Sequence, residues 1–201
     1  MDFDAVRADI SSEIGAARVH SEGSCSNQWI HHVMVHEAGH AIFALRRGIS
    51  FVDVQVYPPK QVNDQLGANN WAHAGGLQLV EADPTKWIPE DPDAALDVLM
   101  AGTLAERFFF TCYLDGAYEG DEAIWAQGMG TDRQEASERL GSSMPRVWVE
   151  MNHCLEQIQT VVLEFQHQLM VQQDESAGFT RPLVLTEDAI LSLMAQGSPA
   201  A

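Results

Sequence analysis

The chain has 201 residues, 46% of them hydrophobic, and a formal net charge of −18 from 29 acidic against 11 basic side chains. Such a surface repels phosphate backbones, which argues against nucleic acid as a partner. No apolar run approaches the roughly 20 residues a bilayer-spanning helix requires, so no membrane association is expected. The acidic N-terminus lacks a leader layout, and Cys25, Cys112 and Cys154 are scattered without a CxxC pair. A cytoplasmic chain with reduced thiols is expected.

Phe3, Val6, Ile10 and Ile14 predict an amphipathic helix over 4–20, and Ser21–Ser24 reads as a linker. Residues 1–25 are thus an N-terminal helix and linker, and 26–201 form one domain with its own core. From Ser26 to Gly48 the apolar positions Ile30, Val33, Met34, Ala41, Ile42 and Leu45 recur with a helical period. Ser26 or Asn27 caps that helix, Arg46 and Arg47 fall in its last turn, and Gly48 ends it. Gly39 costs such a helix about 1 kcal/mol relative to alanine, which predicts close approach of another backbone there. Residues 49–57 alternate as a strand stopped by Pro58-Pro59, 60–70 form a polar loop, and 71–80 read as a second strand. Gly75-Gly76 in that strand marks a bulge or a close backbone approach.

Asp93 to Phe110 is a predicted helix, opened by the Asp-Pro-Asp turn. Four glycines and the acidic cluster Glu119, Asp121 and Glu122 make 111–130 irregular. Thr131 and Gln134 suggest a capping box. Pro145 is expected to open a long helix toward Gln173, with Val147, Met151, Leu155, Ile158, Val162, Phe165 and Leu169 on one stripe. After a loop at 178–182, Thr186 caps a last helix through Met194. The expected fold is mainly α with a small β-sheet (α+β).

The chemistry lies in His36-Glu37-Ala38-Gly39-His40, an HExxH sequence on the first of the capped helices. Histidines four apart share one helix face and can reach one metal ion, while the glutamate beside them can take a proton from a metal-activated water. A catalytic zinc site takes three protein ligands. His32 lies about 12 Å along the axis from His40, too far to share a tetrahedral ion with it, and reads instead as a neighbour of the site. The metzincin layout needs a histidine where Arg46 stands. Glu81, Glu106, Asp132, Glu135 and His153 are the candidates left, with His73 the weakest.

Several segments in succession resemble the protease domain of the FtsH family of ATP-dependent zinc metallopeptidases. His36–Ala41 reads HEAGHA, a strand ends at Pro58, and Gly75-Gly76-Leu77-Gln78-Leu79 forms a glycine-containing strand. Ala101-Gly102-Thr103-Leu104-Ala105-Glu106 and Gly128-Met129-Gly130-Thr131-Asp132 follow in order. The resemblance covers roughly residues 29–195, and its most specific element is HEAGHA. It implies an FtsH-peptidase-like helical domain with His36, His40 and Asp132 holding one Zn2+ per chain and Glu37 as the catalytic base. Its position at the start of a helix is equally that of a residue complementing a helix dipole, so Asp132 as a ligand is what the resemblance implies. Glu106 matches the first glutamate of the family's AEE; it is either a carboxylate orienting a ligand histidine or an exposed helix glutamate. Thr103 and Arg107 depart from the family pattern. The family's ATPase module and membrane helices have no counterpart in this sequence, so a stand-alone peptidase is expected, served by a separate ATPase or adaptor.

The expected activity is hydrolysis of peptide bonds in a peptide or unfolded protein, with Gly75, Gly76 and Leu77 pairing to the substrate if their strand is a sheet edge. Two rivals stand beside it: a binding or regulatory module that keeps the metal site without turnover, and a zinc hydrolase of a non-protein amide. The sequence holds no legible signal for oligomeric state.

Overall fold

The computed structural model describes residues 18–19, 28–58, 75–110, 113–114, 117–175 and 179–197. At its centre is α1 (Gln28–Arg47), buried without interruption from His32 to Ala44. A helix enclosed on every side must be apolar all round except where polar groups meet partners, and Met34, Ala38, Ala41, Ile42, Phe43 and Ala44 meet that demand. Gly48 ends the helix in the left-handed region at φ 69°. The Ile49 N–H donates to Ala44 O and the Gly48 N–H to Leu45 O, which satisfies the last carbonyls.

The longest contact of α1 is with α3 (Pro92–Phe110), itself buried from Ala94 to Glu106. A Cβ on Gly39 would lie 2.7 Å from the Ala101 carbonyl oxygen and 2.9 Å from Ala105 Cβ. The glycine inside α1 is therefore the close backbone approach expected of it. Asp91 starts α3 by accepting from the Ala94 N–H at 3.0 Å. At the other end of α1, Arg47 donates to the buried Asp97 carboxylate of α3, which also accepts from Arg146. Arg46 and Arg47 pair with Glu150 as well. This network joins α1 and α3 to α5 (Arg133–Met151) and sets cations at the negative end of the α1 dipole.

Three antiparallel strands lie in the order β3-β2-β5. They are β2 (Phe51–Val56), β3 (Gly75–Leu79) and β5 (Leu183–Thr186), numbered with the two-residue β1 (Arg18–Val19) and β4 (Tyr113–Leu114), which pair in parallel. Phe51, Val54, Val56, Leu183 and Leu185 supply the buried side of the sheet. The outer edge of β5 is closed by side chains of α6 (Leu155–Glu175). Gln168 donates to Val184 O and accepts from the Val184 N–H, both at 3.1 Å, and Gln172 does the same for Arg181 at 3.0 and 3.1 Å. Two primary amides thus stand in for a neighbouring strand. Among the described residues, β3 is the edge without a strand or amide partner. The mainly helical chain with a small sheet is the architecture expected.

Several boundaries differ from expectation. The predicted helix over 4–20 and its linker lie outside the described residues except at Arg18–Val19, which are extended as β1. The cap residues Ser26 and Asn27, the loop 60–70 and residues 71–74 also lie outside them. A short helix α2 (Pro84–Glu90), capped by Asp83, was not anticipated. The segment 111–130 is not irregular: α4 (Ala117–Met129) occupies most of it. Gly128 is a packing contact in it, since a Cβ there would meet Ile88 Cδ1 at 2.5 Å and Pro84 O at 2.7 Å on α2. Asp132, and not Thr131, caps α5, accepting from the Glu135 N–H. Pro145 lies within α5, and the long helix is broken at 152–154 by the tight turns His153 N–H to Glu150 O and Cys154 N–H to Met151 O. The stripe survives that break: Val147, Met151, Ile158, Val162 and Phe165 are all buried. Thr186 caps α7 (Glu187–Gly197) through the Ala189 N–H. No described helix is long and apolar enough to cross a membrane.

Candidate metal centre

His36 and His40 project from the buried middle of α1 on successive turns, and each ring is anchored through Nδ1. The His40 Nδ1–H donates to the Val98 carbonyl oxygen at 2.7 Å. A carbonyl can only accept, so this bond fixes the proton on Nδ1 and leaves the His40 Nε2 lone pair bare. The His36 Nδ1–H donates to Glu106 Oε1, also at 2.7 Å. With both Nδ1 positions engaged, the two Nε2 atoms face each other at 2.8 Å. Two bare lone pairs at that distance repel, and a cation between them removes the conflict. A proton can play that part: with it, His36 is an imidazolium donating to His40.

The local electrostatics agree. Burial alone would lower the His36 pKa, but the Glu106 hydrogen bond and charge prevail and raise it to about 9. Burial and the adjacent His36 charge push His40 down to about 3. Glu106 is fully buried, which opposes ionisation, yet its hydrogen bonds with His32 and His36 hold it below the usual carboxylate range. It is a buried anion and not an exposed helix glutamate.

The third group is Asp121 of α4. One ligand atom each from His36, His40 and Asp121 lie within 4.8 Å of one another, and all three residues are buried. Burial raises the Asp121 pKa well above its ordinary value, and Thr103 donates to its Oδ2 at 3.4 Å. Space beside the imidazoles is kept by Gly102 of α3, where a Cβ would stand 2.5 Å from His40 Nε2 and 2.7 Å from His36 Nε2. Two nitrogens and a carboxylate oxygen form a donor set suited to zinc, with room for a further ligand.

Glu37 lies beside this cluster. Its Oε2 is buried with no hydrogen-bond partner among the described residues. Burial raises its pKa to about 7, where a carboxyl group can both take and give a proton near neutrality. Gly75 of β3 packs on it: a Cβ there would lie 2.6 Å from Glu37 Cγ. A cleft of about 440 Å³ opens over these groups, floored by His36, Glu37, His40 and Asp121 and bordered by Gly75, Gly76 and Leu77. Leu79, Trp87, Val98, Leu99 and Ile124 make the rest of it apolar.

His36, Glu37, His40, Glu106, Gly75, Gly76 and Leu77 are therefore brought together, and Asp132 is not. Asp132 is exposed and engaged as the cap of α5, with Oδ1 2.9 Å from the Glu135 nitrogen. Asp121 takes its place in the cluster. The segment expected to be irregular holds the helix that delivers this carboxylate. Its signal was the spacing of Tyr118, Asp121, Trp125 and Gly128, one helical face hidden by reading the glycines as breakers. Gly102 and Thr103, whose contacts are purely tertiary, were likewise not singled out for the site.

Two measurements check this geometry. In zinc titrations, Asp121→Ala should lose zinc binding by a hundredfold or more, whereas Asp132→Ala should bind like wild type and lose only about 1 kcal/mol of stability as a helix cap. Equal zinc binding in Asp121→Ala and wild type would contradict the cluster. Because His36 is protonated below about pH 9, zinc uptake at pH 7 should release at least one proton. The apparent affinity should rise about tenfold per pH unit for each proton released, from pH 7 toward 9. Calorimetry in buffers of different ionisation heat reads that number, and a value of zero would refute the bridging proton. No protein-family model matches the chain, and no curated protein matches it.

Proposed function

We propose that this chain is a zinc-dependent endopeptidase with an FtsH-type peptidase domain, acting on extended peptides or unfolded proteins. The observation that carries the proposal is the convergence of two anchored imidazole Nε2 atoms and a buried carboxylate beside a glutamate oxygen with no partner among the described residues. His36, His40 and Asp121 would hold the ion. Bound zinc supplies Lewis acidity, polarising a carbonyl and lowering the pKa of water to near neutrality.

The remaining work falls to side chains and backbone of this chain. Glu37 Oε2 is the proton acceptor and later returns the proton to the departing amine. Its pKa of about 7 suits both transfers. Glu106 keeps the His36 proton on Nδ1, so that Nε2 is available, and the Val98 carbonyl does the same for His40. The apolar cleft wall excludes water and favours a substrate with apolar side chains near the scissile bond.

Substrate alignment by strand addition is supported by the asymmetry of the sheet. Gln168 and Gln172 occupy the β5 side, while the edge at Gly75–Leu79 borders the cleft. An extended peptide paired there would lie across the groups named above. Most of a folded protein's chain is not free to pair as such a strand, so a separate ATPase or adaptor is the partner this chemistry calls for.

Casein cleavage by the zinc-loaded chain is the test. Wild type should cut it. Glu37→Gln should retain zinc and lose activity by about 10²–10⁴-fold, the usual contribution of a general base. If both proteins hold zinc and neither cuts casein or other unfolded chains, the peptidase reading fails in favour of a non-hydrolysing binding module.

A further inference from the structure

Resting on that metal-centre reading, we infer that His32 is a positioning residue for the ion, acting through Glu106. His32, His36 and His40 recur every four residues on α1, but only the last two face the cleft. His32 is turned instead onto the far oxygen of the carboxylate that holds His36. Its Nδ1 lies 2.8 Å from Glu106 Oε2, while His36 Nδ1 lies 2.7 Å from Oε1. Both histidines and the carboxylate are buried.

One hydrogen bond leaves a carboxylate free to swing about its terminal torsion, which is broad and soft. Donors on both oxygens remove that freedom and orient Oε1 toward His36. Glu106 Oε1 already accepts the His36 Nδ1–H, and the other oxygen of the carboxylate meets His32 as an acceptor at 2.8 Å. The His32 Nδ1 must therefore carry the proton. The ring is held in turn by stacking on Phe110, with centroids 4.1 Å apart and planes 25° from parallel. The chain of restraint runs from Phe110 through His32 and Glu106 to His36 Nδ1. Its output is the direction and basicity of His36 Nε2, the atom that would meet the metal.

The test is zinc affinity, measured by competition with a chromophoric chelator. Asparagine sets its side-chain N–H where the histidine Nδ1–H stood, and leucine keeps bulk against Phe110 with no donor. His32→Asn should bind zinc within about twofold of wild type, and His32→Leu should bind roughly tenfold more weakly. In the cobalt-substituted protein, the visible d–d bands should shift in His32→Leu and return in His32→Asn. A purely structural histidine would lower stability in both variants without that rescue. If His32→Leu binds as wild type does, or His32→Asn weakens as much as His32→Leu, the inference is overturned while the metal centre stands. A wild-type chain that takes up no zinc overturns both. Should His32→Leu fail to fold, ¹⁵N-histidine NMR of the unaltered zinc-loaded protein decides: a proton on His32 Nδ1 is expected, and a bare Nδ1 refutes the role.

Discussion

Two imidazole nitrogens held 2.8 Å apart inside the protein are the constraint on which the rest of this structure depends. Each ring has its other nitrogen engaged, one on a backbone carbonyl and one on a buried carboxylate, so neither can turn away without stranding a polar group. The tight seating of α3 against α1 at Gly39 brings Val98 and Glu106 within reach of the rings, and Gly102 leaves the space at their meeting point empty of side chain. Helix–helix packing and site geometry are here one arrangement.

The charges make the same point energetically. Glu37, Glu106 and Asp121 are three buried carboxyl groups within one small region, and burying ionised carboxylates without compensation is costly. Without a metal, protons answer that cost in part, through an imidazolium at His36 and raised pKa values at Glu37 and Asp121. A divalent cation would answer it more completely and allow the acids to ionise. Only Glu106 is held ionised by hydrogen bonds from both sides, and it is the acid that does not face the cleft. The site thus separates a fixed anion that orients from two titratable acids that can respond to a bound ion or substrate.

What could be read from the sequence was what depends on neighbours along the chain. HExxH gave two nitrogens and an acid on one stretch of helix, and the α1 stop signals at Arg46, Arg47 and Gly48 matched the observed end. Gly39 was interpretable because a glycine inside a strong helix needs a steric reason. Gly128 has a steric reason of the same kind, but that reason lies in α2, which has no strong sequence signal, so the glycines of 111–130 read as breakers and Asp121 as one of an acidic cluster. Asp132 was attractive because it opens a helix, and opening that helix is its observed contact. The closure of the β5 edge by Gln168 and Gln172 had no sequence signature, since glutamines on a helix are ordinary until a strand is brought beside them.

The central claim is that a divalent ion is held by His36, His40 and Asp121. Anomalous diffraction from zinc-soaked crystals, collected on either side of the zinc absorption edge, tests it most directly. The account predicts one strong peak within about 2.0–2.2 Å of both Nε2 atoms and an Asp121 oxygen. A peak at Asp132, or no peak between the two histidines in crystals that contain zinc, would contradict it.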